Sequence, residues 1–589
     1  MLPKGDGPPV STNVGNNVGN VELSFDRYLK YDELGAALRA LVEAHPTMAE
    51  LGTTGCSYEG RDIWVVTLTN RSTGPAADKP AMYVDGNMHA GEVTGSMVCL
   101  YLINYLLSRY GRDEEATWLL DHRAFYVCPR VNPDGAEKYL TTPFMLRSSV
   151  RPYPGPEVAD MPGLVAQDLD GDGLIRQMRV RDDGRGEWKI SVRDARLLVP
   201  RLPDDRHGPF YRLYPEGLIK DYHGEPFPIR ESQWGLDMNR NFPSNWSQKL
   251  RGGGPYPTSE PEVRHIVDFI LAHPNIGGLQ AFHTSGGIIF RSPYVYPDEQ
   301  MDGYDFATLK SLARRGTDLT GYPDVSSYSG PYAATIVDWA YEHRGIFGFT
   351  TELWDLMGRA GVKDMDYYGK PNPSPAETEA ANLKVLEWND RELAGQGFKE
   401  WTVFQHPQLG LVEIGGWDPK FVRQNPPPKL LEQECHKNAL FPLKHAAALP
   451  ELAVEQVEVR CGASGSGGLG IDDAVFAVEA VVANHGYLAT NISKKALDIK
   501  GAPAVRVQVK LGPALSLLAG ETVQDIGQLQ GFRDGQGGGM WGTAPAHSAA
   551  RCGWVVRLLD PTAPPEDRSI SVEARQEKGG VVRSTVVVG

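Results

Sequence analysis

His89 and Glu92 stand three residues apart in the stretch Asp85-Gly86-Asn87-Met88-His89-Ala90-Gly91-Glu92. An imidazole nitrogen and a carboxylate oxygen at that spacing can face one metal ion. Zinc suits this donor set, and catalytic zinc keeps a fourth position open for water or substrate. In a chain with 14 histidines, a chance His-x-x-Glu in a surface turn is the bland alternative, so the pair needs partners. His283 ends the apolar run Gly277 to Phe282 and is the natural third ligand; the competing reading is a structural histidine at a strand end. Glu352 ends a second apolar run, Ile346-Phe347-Gly348-Phe349-Thr350-Thr351. A carboxylate carried into apolar surroundings must find a partner or hold its proton more tightly, which is the condition a general base needs. Arg240 beside Asn239 offers a planar fork for a carboxylate. Arg147 offers a cation for a carbonyl oxygen that gains charge.

These side chains are useful only if regular elements bring them together. Ala81-Met82-Tyr83-Val84 reads as a buried strand, and the apolar-periodic run from Val93 to about Leu107 reads as a helix, so His89 and Glu92 lie at a strand-to-helix turn. Tyr31 to Ala44 reads as an amphipathic helix with Leu34, Leu38, Leu41 and Val42 on one face. Arg61 to Thr69 and Ala124 to Cys128 read as further strands, and Glu260 to Ala272, Tyr304 to Leu319 and Ala376 to Ala394 as further helices. Strands alternating with helices argue for an α/β fold with a mixed sheet flanked by helices. In such sheets the ligand site lies beyond the carboxyl ends of the strands, where His89, Glu92, His283 and Glu352 all fall.

The chain has 589 residues, too many for one ordinary domain. Residues 1–20 are rich in Gly, Pro and Asn and read as disordered. A catalytic unit is expected over 21–400, with a long insertion at about 152–235 rich in Asp, Arg, Gly and Pro. Asn425-Pro426-Pro427-Pro428 makes 401–450 read as a linker and a short helix. From 451 to 589 the texture changes to Val-rich alternating strands between Gly, Asn and Pro turns, an all-β sandwich without a titratable cluster. Within the insertion, Asp168, Asp170 and Asp172 match the first half of a calcium loop, but the twelfth position is Arg179 where a bidentate Glu is usual. A bound calcium and a solvated acidic turn both remain open.

A net charge of −15 argues against nucleic acid or an anionic membrane surface as partner. No apolar run approaches the roughly 20 residues of a membrane-spanning helix. The N-terminus lacks a cationic start followed by an apolar core, so the sequence as written is expected in the cytoplasm, or secreted if a leader has been removed. Six cysteines without C-x-x-C spacing do not form a zinc knot. The oligomeric state is left open.

Five pieces in order resemble the zinc carboxypeptidase family, the carboxypeptidase A-like group. They are His-Ala-Gly-Glu (His89, Glu92), Asn-Pro-Asp-Gly (Asn132 to Gly135), Asp-Met-Asn-Arg-Asn (Asp237 to Asn241), the single His283, and Phe-Thr-Thr-Glu-Leu (Phe349 to Leu353). The resemblance covers about residues 22 to 395. It implies one catalytic zinc held by His89, Glu92 and His283, with water in the fourth place. It implies Glu352 as the base, Arg147 at the oxyanion, Asn239 and Arg240 at the substrate's terminal carboxylate, and Asp237 orienting a zinc histidine. The implied partner is a peptide with a free C-terminus, and the implied reaction is hydrolysis of its last peptide bond.

The sequence departs from the family pattern in places. Arg147 or Arg151 can be the arginine after Asn-Pro-Asp-Gly, and spacing favours Arg147. The family's mobile tyrosine is matched by Tyr328 or Tyr332, neither at the usual distance before Asp338-Trp339, with Tyr328 narrowly preferred. Val337, just before that pair, falls where the family places a specificity side chain, and an apolar residue there implies an apolar or aromatic terminal residue. The alternatives are an amidase or endopeptidase on cell-wall or polyglutamyl peptides, a deacylase of small N-acylated amino acids, and a catalytically dead peptidase fold used for binding.

Overall fold

A computed structural model describes residues 21–328, 332–362, 373–461, 474–535 and 548–588. Residues 1–20, expected to be disordered, lie outside the described residues. An eight-stranded mixed sheet forms the centre. In spatial order its strands are Ala49–Cys56, Asp62–Leu68, Ala124–Cys128, Ala81–Gly86, Ile276–Thr284, Phe347–Leu353, Ile288–Arg291 and Asp324–Ser326. The four middle strands run parallel.

Parallel strands buried on both faces must be apolar almost throughout, and the sequence supplies this. In the strand Ala81–Gly86, Met82 and Val84 face one core, with Phe125 and Val127 beside them. Ala81 and Tyr83 face the other, with Ala124 and Tyr126. The first core is covered by the helices Tyr31–Ala44, Thr94–Arg109, Glu114–His122 and Pro428–Ala447. Pro261–Ala272 and Ile336–Arg344 cover the second.

Residues 401–450 hold the expected helix, Pro428–Ala447, but the rest of the segment is not a linker. The strands Phe398–His406 and Gly410–Trp417 form a hairpin that pairs through Glu413, Ile414 and Gly415 with the insertion strand Gln177–Arg181. Together with Tyr211–Pro215, Trp188–Ile190 and Leu198–Pro200 they build a six-stranded sheet, so the insertion is folded against chain well beyond residue 400. The helix Pro428–Ala447 packs Leu431, Cys435, Ala439 and Leu443 into the first core, against helix Thr94–Arg109. Both pairings join segments more than 200 residues apart, which no local pattern reveals.

From Leu452 two four-stranded antiparallel sheets share one core that includes Val478, Val507, Trp554 and Val572. This β domain docks on the α/β unit. Ser493 Oγ donates to the Gly345 carbonyl at 2.7 Å, and the buried Asp305 carboxylate accepts the Lys494 and Lys495 backbone amides at 2.7 and 3.0 Å.

Candidate metal centre and substrate cavity

The parallel register sets the site. His283 lies directly opposite Glu352, and Phe282 opposite Gly86, so the strand ends carrying them form one edge. The strand Ala81–Gly86 must then turn into helix Thr94–Arg109. A Cβ on Gly86 would meet the Gly95 backbone at 2.5 Å, so the turn can close only on glycine. Asn87 follows at φ 58°, a left-handed position that asparagine tolerates. Its side-chain amide donates to the His89 carbonyl at 2.7 Å and the Ala90 carbonyl at 3.2 Å, and its oxygen accepts the Ser96 hydroxyl. Asn132 clasps the same turn from outside, donating to the carbonyls of Met88 (3.3 Å) and Ser148 (2.8 Å) while its oxygen caps helix Pro133–Thr141. These two asparagines position the His89 turn and the Arg147 segment, and sequence reasoning missed both functions.

His89 Nδ1 lies 2.9 Å from Glu92 Oε1, His283 Nδ1 lies 2.8 Å from Glu92 Oε2, and the two Nδ1 atoms are 3.0 Å apart. All three residues are buried. Asp237 Oδ1 takes the other ring nitrogen of His89 at 3.0 Å. That contact places the His89 proton on Nε2 and leaves the Nδ1 lone pair facing the cluster, the arrangement a metal-binding imidazole needs. Two imidazole nitrogens and a carboxylate converging on one point form a zinc donor set, so these residues fit the ion. Burial opposes the charge on Glu92, but His89 and His283 hold its carboxyl well below the usual range. Burial likewise opposes the charge on Asp237, and Arg147 and His89 hold that carboxyl low.

Glu352 faces the same cavity. Its Oε2 is buried without a hydrogen-bond partner, and burial, then the Glu92 charge, pushes its carboxyl up to about 8. Arg147 pairs with Asp237 at 2.9 Å and reaches Glu92 at 3.5 Å. Arg151 instead turns away to Glu260, with Nε 3.1 Å from Oε2. Of the two candidate arginines, only Arg147 lines the cavity.

The cavity holds about 370 Å³ and is walled by the metal cluster, Arg147, Asn239, Arg240, Phe290, Tyr294 and Tyr332, among others. Asn239 is fixed by accepting the Ile336 backbone amide at 3.0 Å, and Arg240 by donating to the Asn239 carbonyl at 2.7 Å. The Arg240 guanidinium lies 4.7 Å from the centre of the Tyr332 ring. Tyr328 is 48% exposed and does not reach the cavity. Of the two candidate tyrosines, the preferred Tyr328 lies outside the cavity wall and Tyr332 lines it. Val337 is corrected: it is fully buried beneath Gly348, with Cγ1 3.3 Å from that residue's ideal Cβ position, and is not in the cavity wall. Phe290, Tyr294 and Thr350 line that side instead. Gln424 was not anticipated. It reaches the cavity from the segment read as linker, passing over Gly91, where any Cβ would meet its Oε1 at 2.5 Å. No local signal marks it.

In the insertion, Asp168, Asp170 and Glu216 each turn a carboxylate oxygen toward a common point, within 4.8 Å of one another. Asp172 is engaged by Arg176 at 2.7 Å and by Lys399 at 2.9 Å.

The zinc carboxypeptidase family profile matches residues 34–361, more than half of the chain. A domain of unknown function matches residues 455–587. Among curated proteins, carboxypeptidase B of Astacus astacus is 33% identical over 351 residues, covering 56% of this chain and 88% of that protein. Carboxypeptidase A2 of Rattus norvegicus is 24% identical over 56% of this chain, which spans only 64% of that relative's length. Among solved structures, carboxypeptidase A from Helicoverpa armigera shares 17% identity with a TM-score of 0.38, covering 63% of this chain and 74% of that one. Thrombin-activatable fibrinolysis inhibitor shares 21% identity with a TM-score of 0.37, covering 61% and 74%. With its motifs in family order at one sheet edge and the profile matched across that whole sheet, the chain belongs to the zinc carboxypeptidase family.

Proposed function

We propose that this protein is a zinc-dependent carboxypeptidase that hydrolyses the last peptide bond of peptides with a free C-terminus. The observation that carries this reading is the unpartnered Glu352 Oε2 in one cavity with the His89–Glu92–His283 cluster, Arg147 and Arg240. A buried acceptor with no partner costs free energy, and in a cavity shared with a metal-binding cluster a water or substrate proton can supply that partner.

Zinc, when bound by His89, Glu92 and His283, supplies a Lewis acid that activates water and polarises the scissile carbonyl. Glu352 accepts the proton of the attacking water and returns it to the leaving amine. Arg147, fixed by Asp237, donates to the carbonyl oxygen as charge develops there. Arg240 and Asn239 hold the terminal carboxylate, and Tyr332 packs beside that ion pair. Phe290, Tyr294 and Thr350 offer no charge to the terminal side chain, which supports a preference for apolar or aromatic residues.

The test uses acyl-dipeptides in free and C-amidated forms, with wild type and Arg240→Ala. Wild type should strongly prefer the free acid, and Arg240→Ala should raise KM for it with little change for the amide. Equal cleavage of both forms by wild type would refute the carboxylate clamp, and with it the exopeptidase reading.

A further inference from the structure

Glu216 has no part in the proposed chemistry, yet it is fully buried. Its Oε1 accepts the Arg176 backbone amide at 3.0 Å, and its Oε2 is buried with no partner. It stands just past the strand Tyr211–Pro215, whose Pro215 is opposite Gln177. That register brings Glu216 beside the turn Asp168-Leu169-Asp170-Gly171-Asp172-Gly173, 40 residues or more earlier in the chain.

The turn has the alternating carboxylates of a calcium loop and, at the sixth position, Gly173 at φ 87° for the sharp bend. It lacks the bidentate carboxylate of the twelfth position, and its ninth position is Arg176. The twelfth position is Arg179, which is bound at 2.9 Å through both Nε and Nη2 to Glu413. We propose that Glu216 supplies the missing carboxylate from just past the neighbouring strand, and that Asp168, Asp170 and Glu216, whose carboxylate oxygens already converge, form a structural calcium site.

Charge agrees with this. The cations touching the cluster are Arg176, on Asp172, and Lys399, on Asp170 and Asp172. With Asp172 counted, four carboxylates against two cations leave two negative charges uncompensated once Glu216 is ionised, the complement of one divalent ion. An all-oxygen donor set favours calcium or magnesium over zinc, and a wide, mostly anionic cluster favours calcium, which accepts six to eight ligands in flexible geometry.

The position gives the ion a consequence. Ile175, Arg176, Gln177 and Pro215 flank the cluster and also wall a cleft of about 610 Å³ that shares Ser285 and Gln424 with the substrate cavity. Calcium would lock this wall, and so the shape of the approach to the cavity.

Calcium chloride titrated calorimetrically into full-length, zinc-loaded protein in calcium-free buffer tests the site. About one equivalent should bind, with magnesium chloride at least roughly tenfold weaker. Glu216→Gln should weaken calcium binding by at least about tenfold while zinc content stays unchanged. Asp170→Asn, at a partly buried position, should do the same if Glu216→Gln fails to fold. No calcium uptake by wild type at millimolar concentration, equal affinity for magnesium, or unchanged calcium affinity in a folded variant would each overturn the proposal.

Discussion

Glu352 and Asp237 separate chemistry from assembly. Glu352 Oε2 has no hydrogen-bond partner, so Glu352→Gln should lower kcat by about 10²–10⁴-fold while elemental analysis still finds zinc. Asp237 acts through His89 Nε2 and Arg147. Asp237→Asn should therefore weaken zinc by about 10–100-fold, measured by competition with a chromogenic chelator. The convergence of His89, Glu92, His283 and Glu352 was legible in the sequence for one physical reason: each follows a run too apolar to lie anywhere but a buried strand, so its polar head must emerge at the sheet edge. Val337 was misjudged because spacing from Asp338-Trp339 does not show which face of helix Ile336–Arg344 it takes, and that face packs on Gly348.

At the scale of elements, the strand-to-helix turn at Gly86 is the tightest fit in the site. Gly86→Ala should destabilise the protein by about 1–3 kcal/mol, read from denaturant midpoints, because the added methyl meets backbone and not a movable side chain. Asn87→Ala should cost both zinc affinity and stability, since it frees the buried His89 and Ala90 carbonyls and puts alanine at a left-handed position. The central strands and most helices could be read from periodicity within two or three residues; helix Thr94–Arg109, for example, was expected from Val93 to about Leu107. The six-stranded outer sheet could not. Its strands are short, its partners come from 177–215 and 398–417, and such pairing has no local signature.

For the whole molecule, the metal cluster couples binding to folding. Its ligands come from one turn and one strand end far apart in the chain, so an ion held there adds stability that grows with the logarithm of the ratio of free ion to Kd. Zinc at about a thousand times its Kd would contribute about 4 kcal/mol. Removing it with a chelator should lower the melting temperature by several degrees, with recovery on zinc but not on magnesium; an unchanged Tm would mean the cluster is not a metal site.

Helix Pro428–Ala447 carries the final consequence. It closes the first core behind the catalytic sheet, and its Glu434 contacts Tyr322 and accepts the Trp354 backbone amide at 3.2 Å, two residues from the proposed base. On the ribosome, the sheet therefore waits for some 90 residues beyond Glu352 before its last wall is made. Until then the apolar side of helix Thr94–Arg109 faces water. An excised catalytic fragment ending at residue 361 would stay in that unfinished condition and aggregate, and a workable one must extend at least to Leu449.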